Sequence, residues 1–200
     1  LLYGNKLSGP IPRELGKMTA LKRLEVLGNG LTGSIPEELG GLSMLETLGL
    51  NDNKLSGPIP RELGELAALK QLDLYKNGLT GSIPEELGAL GKLEKFMLYR
   101  NRLSGPIPRE LGKMTALKQL AVHDNGLTGS IPEELGGLSM LETLFLAENK
   151  LVGPIPKELG ELAALKQLGL YNNGLTGPIP EELGALGKLE KFLLYGNKLS

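Results

Sequence analysis

The residue with the widest chemical range in this sequence is its single histidine, His123, and nothing around it builds a catalytic site. The chain has no Cys for it to activate, and the residues one repeat away on either side, Tyr99 and Ala147, complete no triad. One His also excludes multi-His metal sites. The lack of Cys removes disulfides, thiolate nucleophiles and Cys-type zinc sites together. Asp52 and Asp73 fall on adjacent repeats and could approach as a carboxylate pair. Nothing in the sequence makes a pocket there that would raise a pKa, so they read as solvated rim charges. Recurrent Gly such as Gly9 and Gly16 suggests phosphate loops, but no Gly-Lys-Ser/Thr follows, and the spacing is that of backbone turns. The chemistry on offer is recognition rather than catalysis, with no cofactor and no metal.

The elements that position these residues follow from one period. Asn recurs at 5, 29, 53, 77, 101, 125, 149, 173 and 197, so the chain is eight and a third copies of a 24-residue unit. Counting from that Asn as position 0, apolar residues fall at +2, +6, +10, +13, +16, +19 and +21. The last pair, such as Leu24 and Val26, has the two-residue step of a strand. Strands are therefore predicted around Leu24–Val26, Leu48–Leu50 and their equivalents. Pro at +7 in every complete copy, with a second Pro at +5 in five of them, forbids a long α-helix on the return path, which must be extended, turned or 3₁₀. One unit buries too little to fold alone, so the units must stack with their strands in parallel. The recurrent Asn fits a sharp turn where its amide bonds backbone of its own and the next coil, forming a ladder.

Composition agrees. Leu accounts for 47 of the 200 residues, about what a repeated core needs. The 22 basic and 23 acidic residues leave a net charge of -1 with no long run of either sign, which argues against nucleic acid or an anionic membrane as partner. No stretch approaches a membrane span, and no basic segment precedes an apolar one as in a signal peptide.

The motif L-x-x-L-x-L-x-x-N-x-L-x-G-x-I-P-x-x-L-G, as in Leu45 to Gly64, resembles the plant-specific class of leucine-rich repeats over the whole chain. The resemblance implies an α/β-type repeat solenoid, mostly β with 3₁₀ turns. It is a right-handed curved superhelix with a concave parallel sheet and a second short strand near the x-G-x-I-P segment. Cys-paired caps and N-glycosylation sequons, usual in plant receptor ectodomains, are missing. The near-identical copies are similar to the repeat arrays of brown-algal leucine-rich-repeat GTPases, or to a consensus design. The missing Cys, sequon and signal peptide point toward the cytoplasm without fixing a compartment. Residues 1–200 read as a single solenoid without polar capping units, a fragment of a longer array. Apolar Leu2, Leu194 and Leu199 lack a covering unit, and end-to-end self-association is expected.

A four-unit block of 96 residues repeats almost verbatim, which permits an internal comparison. Across residues 1–104, 18 differ from the residue 96 later. Of these, 13 fall among the 23 comparisons at positions -7, -6, -4, -2 and -1, against 5 among the other 81. Positions there alternate with buried ones and must project from the concave side of the sheet. Convex residues such as Lys17, Thr19 and Ala20 are duplicated unchanged, so relaxed constraint on a solvated surface does not account for the bias. All five Tyr (Tyr3, Tyr75, Tyr99, Tyr171, Tyr195) occupy the -2 column. With strands about 4.8 Å apart, Tyr75, Tyr99 and His123 form a stripe. It is flanked at -4 by Met97 and Phe145, and at -1 by Lys76, Arg100, Asp124 and Glu148, with Tyr171 further along. Tyr is an amphipathic anchor enriched at hot spots; the alternative role of the column is cross-strand stacking that stiffens the sheet. The expected function is a non-enzymatic module that binds a protein or peptide on this face, in signalling or immune recognition. The alternatives are a scaffold without an evolved ligand and a carbohydrate-binding surface. Alternating Lys22, Glu46, Lys70 and Glu94 at -7 are expected to set register between strands, and Arg13, Glu37, Arg61 and Glu85 at +8 to do the same.

Overall fold

The computed structural model describes residues 5–200; Leu2 and Tyr3 lie outside the described residues. Eight three-residue strands, Arg23–Glu25, Thr47–Gly49, Gln71–Asp73, Lys95–Met97, Gln119–Ala121, Thr143–Phe145, Gln167–Gly169 and Lys191–Leu193, form one parallel sheet in chain order. Register is fixed at 24 residues: Leu72 pairs with Phe96, and Phe96 with Leu120. Each strand sits one residue earlier than the apolar pair marks, although hydrogen bonds such as Val26 N to Gly49 O (2.9 Å) and Gly28 N to Asn51 O (3.1 Å) extend the ladder past it. A second row of short parallel strands runs from Ser56–Gly57 to Lys198–Leu199, and those from Ser56–Gly57 to Gly174–Gly177 lie just before an Ile-Pro.

Pro enforces the return path. Each +7 Pro stands extended, as Pro108 does at φ -64° and ψ 130°, and a five-residue 3₁₀ turn such as Arg109–Lys113 follows. These turns stack coil on coil. Their Leu, Leu39 to Leu159 in steps of one repeat, is fully buried. The two Gly columns have different causes. Gly105 at +4 has φ +76° and is a turn device, as its spacing implies. Gly112 at +11 is not: a Cβ there would run into the Glu134 carbonyl of the next coil. Only hydrogen lets the 3₁₀ turns approach so closely.

The core is a column of side chains running through every coil, with Leu48, Leu72, Phe96 and Leu120 wholly inaccessible. Phe192, at the same position in the last coil, is 39% exposed. Burial here is a property of stacking, since each coil covers its neighbour. The Asn ladder shares that logic. Asn101 Nδ2 donates to Leu98 O of its own coil (2.8 Å) and to Leu74 O of the preceding one (3.1 Å), while its Oδ1 accepts from Leu79 N–H (3.1 Å). The link runs back to the preceding coil rather than forward to the next.

Candidate functional site

Alternation sends positions -6, -4 and -2 to the exposed face of the main sheet, because -5 and -3 are buried in the core. On that face the -2 rings stack. Tyr75 and Tyr99 lie 4.4 Å apart at 8° between planes, and Tyr99 and His123 lie 4.6 Å apart at 7°. Phe145 meets His123 edge-on at 5.8 Å. Ala147 interrupts the column, so Tyr171 belongs to a second stack with Tyr195 at 4.6 Å. The 24-residue register places one ring per strand, and strand spacing matches the thickness of stacked rings. Burial, then the neighbouring Tyr75, pushes the Tyr99 hydroxyl up to about 12. Burial likewise holds His123 below the ordinary imidazole value, and its Nδ1 is buried without a hydrogen-bond partner. The ring serves the stack.

The -4 side chains fill the row beside the stack. Met97 and Phe145 are half-buried, and Phe145 lies across Gly169, with Lys191 Nζ 5.8 Å from its ring centre. Asp73 corrects the reading from sequence. It is only 7% exposed, not a solvated rim charge, and burial raises its pKa despite a 2.6 Å hydrogen bond from Gln71 Nε2 and Lys95 Nζ at 3.8 Å. Its Oδ1 has no hydrogen-bond partner. Its contacts are with Gln71 on its own strand and Lys95 on the next, a burial that the sequence pattern could not reveal. Asp52 is exposed as expected.

The -1 column forms the rim. Every described member has left-handed backbone: Lys76 at φ 53°, Arg100 at 57°, Asp124 at 56° and Glu148 at 53°, as well as Asp52, Asn172, Gly28 and Gly196. Gly, Asn and Asp tolerate that conformation; Lys, Arg and Glu adopt it at a cost of about 1 kcal/mol or more. All four patch residues are exposed. Arg100 and Asp124 approach to 3.6 Å in the middle of the rim. Glu148 lies against the Tyr171 hydroxyl, whose pKa rises mainly through burial.

Positions -7 and -6 line a groove of about 490 Å³ along the start of the strands. There Lys70 pairs with Glu46 and Lys118 with Glu94, and further along the column Lys166 pairs with Glu142, each at 2.7 Å, so every bridge joins a Glu to the Lys one repeat on. Glu46, Glu94 and Glu142 are held below the usual carboxylate range by those hydrogen bonds. The +8 column behaves differently. Arg13, Arg61 and Arg109 each pair with the Glu next in sequence, and the expected inter-coil partnership with Glu37 or Glu85 does not form among the described residues. Larger side grooves, up to about 1030 Å³, are lined by the recurrent Pro, Ile, Arg and Glu of the x-P-I-P segments.

Sorting the internal comparison by column separates these surfaces. Residues 96 apart differ at all five -4 and all five -1 comparisons, at two of five for -2, one of four for -6 and none of four for -7. The groove along the start of the strands is thus nearly constant, and the rewritten surface is the two rows that flank the aromatic stack. Among the described residues no group of three or more acidic or imidazole side chains could hold a metal, and no helix is long and apolar enough to cross a membrane.

Known proteins share this architecture. Among solved structures, a TDR receptor is 38% identical over 98% of this chain and 34% of its own, with a TM-score of 0.96. The Arabidopsis receptor kinase HAESA, solved with the peptide hormone IDA and the co-receptor SERK1, is 35% identical over 99% of this chain and 37% of its own, at a TM-score of 0.88. An LRR protein of Leptospira interrogans is 38% identical over 98% of this chain and 48% of its own, at 0.84. The chain therefore spans about a third of the length of the receptors and about half of the bacterial protein. Comparison with curated proteins finds no match. A family model described as Leucine Rich Repeat matches residues 20–42, 44–66, 68–90, 92–114, 116–138, 140–162 and 164–186, in step with the coils. Matched coil by coil over most of its length, and folded as those structures are, this chain belongs to the leucine-rich-repeat family.

Proposed function

We propose that this chain is a non-enzymatic recognition segment of a longer protein, and that it takes a peptide or an extended protein segment on the sheet face around Tyr99. The observation that carries the reading is the concentration of change: all ten comparisons at -4 and -1 differ while the groove at -7 does not. Solvent exposure cannot be the reason, since the exposed convex residues Lys113 and Thr115 repeat Lys17 and Thr19. Left-handed Lys76, Arg100 and Glu148 point the same way, because a scaffold without a ligand gains nothing from large side chains where Gly is cheaper. The receptors it resembles include RGFR1, solved with RGF2, and HAESA, solved with IDA and SERK1, which favours a peptide among possible ligands. Within the family the repeats are of the plant-specific type, and their near identity fits the brown-algal GTPase arrays or a consensus design.

A sugar fits this surface less well. Sugars stack on open aromatic faces, whereas Tyr75, Tyr99 and His123 spend their faces on one another and present edges. Selection from a displayed random-peptide library, read against variants, tests the proposal. The double variant Met97→Ala/Arg100→Ala is expected to weaken enriched peptides by about 2 kcal/mol, as for hot-spot residues. Lys113→Ala/Thr115→Ala is expected to leave them unchanged. Equal losses on both faces, or an energetic centre on the convex side, overturn the reading.

A further inference from the structure

The -1 rim is polar in the electrical sense. Going along the coils, its patch residues run Lys76, Arg100, Asp124, Glu148, two cations followed by two anions. The middle two approach each other at 3.6 Å. The outer two, exposed Lys76 and Glu148, have no ion pair among the described residues. The two lie in one column three coils apart, about 14 Å at the strand spacing of parallel sheets. An extended peptide rises about 3.3 Å per residue and repeats the direction of its side chains every second residue. Residues i and i+4 of such a peptide therefore face the same way about 13 Å apart, and residue i+2 falls between them, beside Tyr99 and His123. In the preceding block the equivalent rim has no such split: the counterparts of Arg100, Asp124 and Glu148 are Gly4, Gly28 and Asp52, and the counterpart of Lys76 in the following block is Asn172. Three of the four charges, at 76, 100 and 124, are particular to this patch, while Glu148 keeps the acidic charge of Asp52.

We infer that the ligand segment, on the reading proposed above, is an extended peptide with an acidic side chain and a basic side chain four residues apart and an apolar one midway. The acid lies over Lys76 and the base over Glu148, so the rim reads the order of charge along the coils. Two exposed charges add modest affinity, but reversing either one replaces attraction with repulsion, so the gain is in discrimination.

A displayed peptide library of five-residue cores, with a fixed apolar centre and either charge allowed at the first and fifth positions, is selected against three proteins: wild type, Lys76→Glu and Glu148→Lys. Glu already occupies the left-handed conformation at 148 and Lys at 76, so both variants keep the backbone; thermal melting checks this. Wild type is expected to enrich mixed acid and base pairs, Lys76→Glu base with base, and Glu148→Lys acid with acid. Each preference should be about fivefold and shrink in high salt. The same charge pattern from all three proteins overturns the inference while leaving concave-face recognition intact, provided Met97→Ala/Arg100→Ala still weakens capture. No enrichment by any of the three, or capture that ignores that double variant, overturns both.

Discussion

The ring of Phe145 fills the space that a side chain at position 169 would need: a Cβ added to Gly169 would stand 2.6 Å from the ring's Cε1. One repeat block earlier the corresponding pair is Gly49 and Asp73, so both members differ together between the blocks. Glu25 does the same on a smaller scale, its Cγ lying 3.4 Å from where a Cβ on Gly49 would be. Side chains at -4 lean onto the next coil, and Gly there is a receiving socket rather than an empty place.

This relationship is expected to appear as coupling. Gly169→Asp should displace the Phe145 ring and cost about 1–3 kcal/mol, the range for overpacking. Phe145→Gly/Gly169→Asp restores the Gly-then-Asp pairing of the first block and should recover most of the loss. Chemical denaturation of the four proteins in the cycle gives the interaction energy directly; additive single effects would mean the ring and the socket are independent.

The Asn ladder carries a second expectation. Asn101→Ala removes the acceptor of the Leu79 N–H and the donor to Leu74 O and Leu98 O. The stranded, part-buried groups should cost about 1–3 kcal/mol each that water fails to reach. The loss should appear as a lower denaturant midpoint, with hydrogen exchange at Leu79 accelerated ahead of amides two coils away. An unchanged midpoint would contradict the ladder's role.

Much of this architecture was legible because the period of 24 ties every position to a coil-wide column. A gap-free Asn register and the strand step of Leu24 and Val26 lead directly to a parallel stack, and Tyr75, Tyr99 and His123 in one column at strand spacing lead to stacked rings. What escaped is what depends on neighbours across coils. Asp73 looks like any rim aspartate until its burial among adjacent rows is seen. The left-handed rim was hinted at by Gly28, Asp52, Asp124 and Asn172, yet Lys76, Arg100 and Glu148 concealed it because those residue types rarely adopt that backbone. Gly112 read as a turn because local sequence does not show the Glu134 carbonyl pressing on it from the next coil. Because the Tyr99 ring stacks on two neighbours, Tyr99→Ala is expected to lose stability as well as any ligand contact.

Asp73 sets a pH dependence whose sign can be worked out. Its folded pKa lies above the ordinary 3.8, with burial as the main cause, so the folded chain holds that proton more tightly than the unfolded chain. The contribution to stability is complete below about 3.8 and is lost as pH rises through the folded value. Asp73→Asn removes the buried charge while keeping an acceptor for Gln71. The variant should be more stable than wild type at neutral pH by about 1 kcal/mol, and the difference should close near pH 3. Denaturation midpoints at the two pH values check it; a variant that is less stable at neutral pH would show that the contacts with Gln71 and Lys95 outweigh burial.

The rim offers the sharpest separation of stability from binding. Arg100 and Glu148 hold φ at 57° and 53°, where a residue with a Cβ is strained and Gly is not. Arg100→Gly gives up an exposed 3.6 Å pair with Asp124, worth little in water. Both Arg100→Gly and Glu148→Gly should therefore raise stability by about 0.5–1 kcal/mol after the greater unfolded freedom of Gly is counted. Asn172→Gly is the control: Asn tolerates φ 52° well, so its gain should be smaller. If ligand recognition is what keeps large side chains in this strained column, the same two stabilising replacements should weaken peptides selected on wild type, and Asn172→Gly should not. Stability and affinity moving in opposite directions at 100 and 148, and only there, is the outcome that a surface under no functional demand would not give.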